Sequence, residues 1–410
     1  MREIEILSPA GDFECLKSAV LFKADAVYLG GEIFGMRTAS SNFSLDLLDK
    51  GVKFAHSNNV KIYLTCNTVP TNKEADLLDD FLKNAEEIGV DALIIADMGT
   101  LFAAKKFAPK IPIHISTQAG IMNYKTANAL HMLGAKRIVL ARELSLEEIK
   151  TIREKTSKEL EIECFVHGAM CMSISGRCLI SSYLTNRDAN RGKCSQPCRW
   201  KYHLMEEKRP GEFFPVFENE NGSFILNSKD LCLIEYLDKL YDAGVCSFKI
   251  EGRAKSSYYV AVTTNAYAMA KNILKDSIKN NKEYILPEYI KEELFTISHR
   301  HYGSGFLFGP PKDGQYYEDG GYIRCCDIVA VVCEYDGKNI LCKQKNKFSI
   351  GEEVELLIPQ KKPLKFKIIN MFDENKNKII SAPNSEMIVN ISYESDVKIL
   401  KGSIIRRKIK

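Results

Sequence analysis

The sequence predicts an α/β protein: a TIM-type (β/α)8 barrel with a long cysteine-bearing insertion after the seventh strand, then a small C-terminal antiparallel β-barrel. Three observations predict it. Eight short Val-, Ile- and Leu-rich runs alternate with amphipathic helical stretches, the pattern of strands buried on both faces and covered by helices. No G-x-G-x-x-G follows the first run, which disfavours the competing doubly wound sheet. Beyond about residue 322 the texture changes to short Val/Ile runs punctuated by Asp-Gly and Asn-rich turns, which reads as antiparallel β-structure.

The eight runs are EIEILSP (3–9), AVYLGG (26–31), KIYLTCN (61–67), ALIIAD (92–97), IPIHIST (111–117), RIVLAR (137–142), IECFVHG (162–168) and CSFKIEG (246–252). Between them DFECLKSAVLFKA, SLDLLDKGVKFAHS, KEADLLDDFLKNAEEIG, NYKTANALHMLG, SLEEIKTIREKTS and DLCLIEYLDKLYDAG place apolar residues at i, i+3 and i+4, as helices that cover a sheet do. SLEE (145–148) reads as a capping box, with Ser145 as N-cap and Glu148 at the third helical position. The seventh connection runs 169–229, far longer than an ordinary βα loop, and long connections of this kind usually carry function. The expected domains are a barrel over 1–277 with its insertion at 169–229, a helical linker over 278–321, and the β-domain over 322–410.

Composition excludes some classes. The chain has 410 residues, 45% of them apolar and 27% charged, as in a globular protein, and no apolar run approaches the roughly 18 residues that span a bilayer. The opening MREIEILSPAGDF lacks the apolar core and small-residue cleavage site of a secretory signal, so a cytoplasmic location is expected. Structural disulfides are rare there, so the 13 cysteines need another account. Residues 322–410 hold 17 Lys and Arg against 11 Asp and Glu, although the whole chain carries only +4. That surplus is either a solvated Lys-rich surface or a grip on an anionic partner.

In TIM barrels the residues at the carboxyl ends of the strands form the site. Here those positions are Ser8, Gly30 and Gly31, Asn67, Asp97, Thr117 and Gln118, Arg142 and Glu143, His167, Glu251 and Arg253. Each has a bland reading: Asn67 and Asp97 as turn or cap residues, Arg142 with Glu143 as a surface pair. Together they form a polar ring at an apolar mouth. Arg142 and Arg253 suit a carboxylate or phosphate, since guanidinium forks match both. The candidate catalytic groups are His167, Gln118 and Glu251; the candidate binding groups are Arg142, Arg253, Asn67 and Asp97.

The insertion carries the thiols in the spacing C-x6-C-x15-C-x3-C, Cys171 to Cys198, followed by Cys232. Paired C-x2-C knuckles of zinc ribbons are absent, as is a thioredoxin-type C-x-x-C. Cys171, Cys178, Cys194, Cys198 and Cys232 therefore compete for about four positions, and thiolate ligation of an iron–sulfur cluster suits them. Zinc, or thiols without a metal, remain the alternatives. Cys232 is expected near a helix start, where a thiolate is favoured.

ECFVHGAMCMSISGRCLIS (163–181) resembles the signature of peptidase family U32, the collagenase-like proteins. LSPAGDFE (7–14), STQAGIMN (116–123), RGKCSQPCRW (191–200), LNSKDLC (226–232) and KIEGRAKSSYYV (249–260) extend the resemblance over the whole barrel. The resemblance implies oxygen-independent hydroxylation with a 4Fe–4S cluster, its ligands matching Cys171, Cys178, Cys194 and either Cys232 or Cys198. One branch, similar in length and layout, makes 5-hydroxyuridine at the tRNA wobble position with prephenate implicated; others act on 23S rRNA cytidine or quinone precursors. The old peptidase reading finds no H-E-x-x-H, G-x-S-x-G or Ser–His–Asp pattern here. The expected partners are tRNA, a small anionic co-substrate, and a second copy or a paralogous family member; no membrane is expected. Arg199 and Trp200, the sole Trp, lie among Arg187, Arg191, Lys193 and Lys201, a mixture that suits an unstacked base held near phosphates. RRKIK (406–410) is expected to add electrostatic grip.

Overall fold

The computed structural model describes residues 2–35, 42–170, 228–309 and 322–409, with isolated positions between 181 and 223. Seven parallel strands follow in order: β1 (Glu5–Pro9), β2 (Ala26–Gly30), β3 (Lys61–Cys66), β4 (Ala92–Ile95), β5 (Ile113–Ile115), β6 (Ala135–Val139) and β7 (Glu161–Gly168). After the insertion comes β8 (Asp230–Cys232), and then β9 (Ser247–Ile250). The last pairs in parallel with both β1 and β7, which closes an eight-stranded barrel. Closure leaves no open edge around the axis.

Helices α1 (Phe13–Leu21), α2 (Leu45–His56), α3 (Leu78–Ile88), α4 (Met98–Phe107), α5 (Tyr124–Met132), α6 (Leu146–Glu154), α7 (Leu237–Asp242) and α8 (Ser257–Asn280) follow the successive barrel strands. Their starts are chemically marked. Asp12, Ser44, Asp97, Asn123, Ser145 and Ser256 each accept a backbone N–H from three residues on. Each satisfies a donor that the first turn leaves without a partner. The capping box at Ser145 and Glu148 is present. The sequence pattern missed α4, whose first turn is held by Asp97.

The stretch read as a helix from Asp230 is a strand first. β8 pairs antiparallel with the end of β7, Leu231 opposite Gly168 and Cys232 opposite His167. It also pairs in parallel with β10 (Tyr302–Gly303). A single 3-10 turn, Ile234–Tyr236, precedes α7. The reason is backbone satisfaction: β7 is eight residues long and outruns its neighbours, and β8 takes up the pairing its end offers. Arg300 fixes the strand by donating to Asp230 from Nε and Nη2 at 2.9 and 2.7 Å. Within 278–309, α9 (Glu288–Leu294) sends Ile290 and Leu294 into the barrel core, joined by Ile297 and Leu307.

The C-terminal unit is an eight-stranded antiparallel sheet. Its longer strands are β11 (Cys326–Tyr335), β12 (Asn339–Gln344), β13 (Glu353–Leu357), β14 (Leu364–Lys367), β15 (Ile388–Ser392) and β16 (Ile404–Lys408). They lie in the order β14-β13-β16-β11-β12-β15, followed by two two-residue strands. Among the described residues the outer strands do not pair with each other, so this is a curled sheet rather than a closed barrel. Its own core includes Val329, Phe348, Leu356 and Ile405.

The seam between the units is apolar and charged together. Leu357 and Ile404 belong to the barrel core. Arg406, with a side chain only 1% exposed, donates to Glu293 on α9 and Glu355 on β13. The expectation that RRKIK offers its charges to an anionic partner therefore fails at Arg406, which alternation along β16 turns inward. Among the described residues no helix is long and apolar enough to cross a membrane.

Candidate active site at the barrel mouth

Alternation along the strands decides which side chains face the axis. Leu7, Ala26, Tyr28, Tyr63, Ala92 and Ile94 form the apolar part of the interior. The rest is charged. Arg137 donates to Glu5 at 2.5 Å and to Glu163 at 3.2 Å, and Lys249 donates to the other oxygen of Glu163 at 2.9 Å. Ser247 donates to Glu5 at 2.8 Å, and Tyr63 donates to its second oxygen at 2.6 Å. Burial opposes ionisation of Glu5, but the Arg137 guanidinium wins and holds its pKa below the ordinary value. Buried charges persist only when paired and hydrogen-bonded, and here two buried carboxylates and the half-exposed Glu161 face two cations.

Above this layer one cavity opens at the carboxyl ends of the strands. Asn67, Thr117, Gln118, Arg142, Glu251 and Arg253, six of the residues singled out from the sequence, line it. Arg253 is buried; it donates to Thr65 Oγ1 at 3.1 Å and Asn42 Oδ1 at 2.8 Å. Its guanidinium lies so close over Gly30 that a Cβ there would sit 2.2 Å from Nη2. That close approach is why glycine stands at the end of β2. Arg142 lies 3.9 Å over the Phe165 ring and donates to the Ala169 carbonyl at 2.6 Å. Asn67 donates to Ser116, which also caps the 3-10 turn carrying Gln118.

Two expected site residues lie elsewhere. Asp97 caps α4, its Oδ1 accepting from the Thr100 backbone at 2.9 Å, and it is absent from the cavity's described lining. His167 is turned away by a bulge. Lys249 lies opposite Phe165 but Ile250 lies opposite His167, so Val166 is the extra residue. An extra residue re-aims the side chain that follows. His167 thereby shares the outward face of Ile250 and packs among the rings of Tyr259, Tyr267 and Tyr302, at 6.0, 5.5 and 5.3 Å. Burial pushes its pKa down to about 3, so the ring is neutral.

Of the candidate thiols, Cys194 and Cys232 are described, both half-buried. Cys171, Cys178 and Cys198 lie outside the described residues, as do Arg199 and Trp200. Cys232 ends a strand rather than starting a helix, and burial pushes its thiol up to about 11. It stands opposite His167, three residues before Met170, where the thiol-bearing segment leaves the barrel. A free thiol in that place fits a cluster ligand. Among the described residues no group of three or more potential ligands gathers.

The sequence reading missed Lys249, Tyr28, Thr65, Ser116 and Phe165, all in the lining. The signal for Lys249 was available: counting back by two from Arg253 and Glu251 reaches it.

Residues 11–316 match peptidase family U32, and residues 324–406 match the peptidase family U32 C-terminal domain. The chain is 34% identical over 406 residues to tRNA hydroxylation protein P1 of Bacillus subtilis, covering 98% of this chain and 94% of that one. It is 36% identical over 399 residues to tRNA hydroxylation protein P of Escherichia coli, covering 87% and 86%. A collagenase of Porphyromonas gingivalis is 33% identical over 321 residues, covering 75% and 74%. With matches of this extent to both parts of the chain, the protein belongs to peptidase family U32.

Proposed function

We propose that this protein hydroxylates tRNA, converting the wobble uridine to 5-hydroxyuridine, with prephenate as a small anionic co-substrate. The observation that carries the reading is the convergence of Arg142, Arg253, Gln118, Asn67 and Glu251 on one cavity at the catalytic end of the barrel. The names of the full-length relatives supply the reaction class. Arg253 is pre-set by Thr65 and Asn42, so it meets an anion without reorganising. A charge-assisted hydrogen bond of this kind contributes roughly 1.5–3 kcal/mol. Gln118 and Glu251 also line the cavity, one able to donate and accept hydrogen bonds, the other to accept them.

A 4Fe–4S cluster held by Cys171, Cys178, Cys194 and one further thiol would supply electron-transfer chemistry when bound. The position of Cys232 beside the end of β7 supports it as the fourth ligand over Cys198. The tRNA contacts are proposed for the insertion around Arg199 and Trp200, with exposed lysines of the C-terminal sheet adding phosphate contacts. A base in a tRNA loop is already partly unstacked, which lowers the cost of presenting it to the barrel mouth.

The described lining of the cavity holds neither His nor Cys, so nothing there pairs a nucleophile with an imidazole base. The test is nucleoside mass spectrometry of tRNA from a strain lacking the gene and any redundant pathway, beside a gelatin-cleavage assay on the purified protein. Loss of wobble 5-hydroxyuridine with no cleavage supports the reading. Unchanged 5-hydroxyuridine, with cleavage abolished by Arg253→Met, would reverse it.

A further inference from the structure

Lys249 belongs to neither the expected site nor the usual chemistry of a barrel core. Its side chain is 5% exposed, yet it lines the mouth cavity. An ammonium carries three N–H donors. Among the described residues one oxygen meets them, Glu163 Oε1 at 2.9 Å. Its other close neighbours are ring faces, Tyr28 at 4.4 Å and Phe165 at 5.4 Å from the centroids. Rings attract the charge but accept no ordinary hydrogen bond.

The charge of Glu163 is also shared. Its second oxygen accepts from Arg137 and Ser247, both at 3.2 Å. Within the core Arg137 pairs with Glu5, Glu161 and Glu163, and Lys249 shares Glu163 with it. Arg142, Arg253 and Glu251 stand above this core in the described lining. The cavity floor thus holds an ammonium with more N–H donors than acceptors among the described residues. Burial lowers the Lys249 pKa despite Glu163, as expected where the positive charge is under-compensated.

We propose that Lys249 is a substrate-contacting residue that donates to the carboxylate of an anionic ligand seated in the mouth cavity. The proposal rests on reading that cavity as the co-substrate site. The ligand class it selects is a small carboxylate with a ring-sized apolar body, because Tyr28, Phe165 and Ile94 supply flat and apolar walls beside the ammonium. Arg142 and Arg253 hold the outer end of the ligand and Lys249 the inner.

The test is calorimetric binding of prephenate to the full chain, purified without oxygen, and to Lys249→Met and Lys249→Gln. Met keeps the length of the stem without the charge; Gln keeps a donor for Glu163. Both variants should melt cooperatively, the Met variant at a lower temperature because Glu163 Oε1 loses its donor while Arg137 and Ser247 keep Oε2, and both should bind about tenfold or more weakly. A folded variant that binds within twofold of the wild type overturns the proposal while leaving the co-substrate site in place. Absence of prephenate binding to the wild type overturns both.

Discussion

Replacing Arg406 with Met should cost this protein about 3–5 kcal/mol of stability, the usual consequence of breaking a buried ion pair from one side. The geometry sets that size. The guanidinium bonds Glu293 with both terminal nitrogens, at 2.8 and 2.7 Å, and Glu355 with Nε at 2.9 Å. Thr296 accepts at 2.9 Å and the Tyr258 hydroxyl lies at 3.3 Å. Glu293 and Glu355 keep only 14% and 12% of their side chains exposed. Without the arginine, two carboxylates would remain at a closed seam with little water to solvate them. At about 1.4 kcal/mol per factor of ten, the folded-to-unfolded ratio should drop by roughly two to three and a half orders of magnitude. Urea unfolding of the wild type, Arg406→Met and Arg406→Met/Glu293→Gln measures it. The double variant should recover part of the loss, because it removes one stranded charge. Lys365→Met, at an exposed position of β14, should stay within about 0.5 kcal/mol of wild type. An Arg406→Met protein as stable as Lys365→Met would refute the buried-hub account.

Gly30→Ala should abolish co-substrate binding while the protein still folds, since the new methyl occupies the place of the Arg253 guanidinium; calorimetry and circular dichroism read the two effects. His114 is buried, its Nδ1 meets no hydrogen-bond partner among the described residues, and burial followed by Arg137 holds its pKa well below the ordinary value. The unfolded chain therefore takes up a proton near pH 6.5 that the native state refuses, so stability should fall on acidification below about pH 6.5. His114→Gln should flatten that slope by up to about 1.4 kcal/mol per pH unit in urea titrations. Cys232→Ala should lose iron and sulfide from anaerobically reconstituted protein, whereas Cys198→Ala should retain them; the opposite result would move the fourth ligand to Cys198.

Strand positions were legible because a TIM-barrel strand is buried on both faces and shows as a short aliphatic run whatever its neighbours. Six mouth residues were legible for a related reason: a polar residue just past such a run has nowhere to go but the strand end. What failed depended on pairing between distant segments. The extra Val166 that turns His167 outward is set by the register of β9 on β7, which no local pattern carries. The helical periodicity from Asp230 was real, but β7 and β10 offered backbone partners that a local reading cannot see. Lys249 hid because a lysine inside an aliphatic run reads as a solvent-facing residue until the axis is known to hold Glu163. Arg406 hid within RRKIK in the same way, since only the docking of α9 against β16 makes it interior.

The measurement closest to the central claim is complementation of the deletion strain, followed by mass spectrometry of wobble 5-hydroxyuridine in its tRNA. Wild-type protein should restore the nucleoside; Arg253→Met and Gly30→Ala, expressed at equal levels, should restore little or none. Full restoration by Arg253→Met would contradict the placement of the reaction at the barrel mouth.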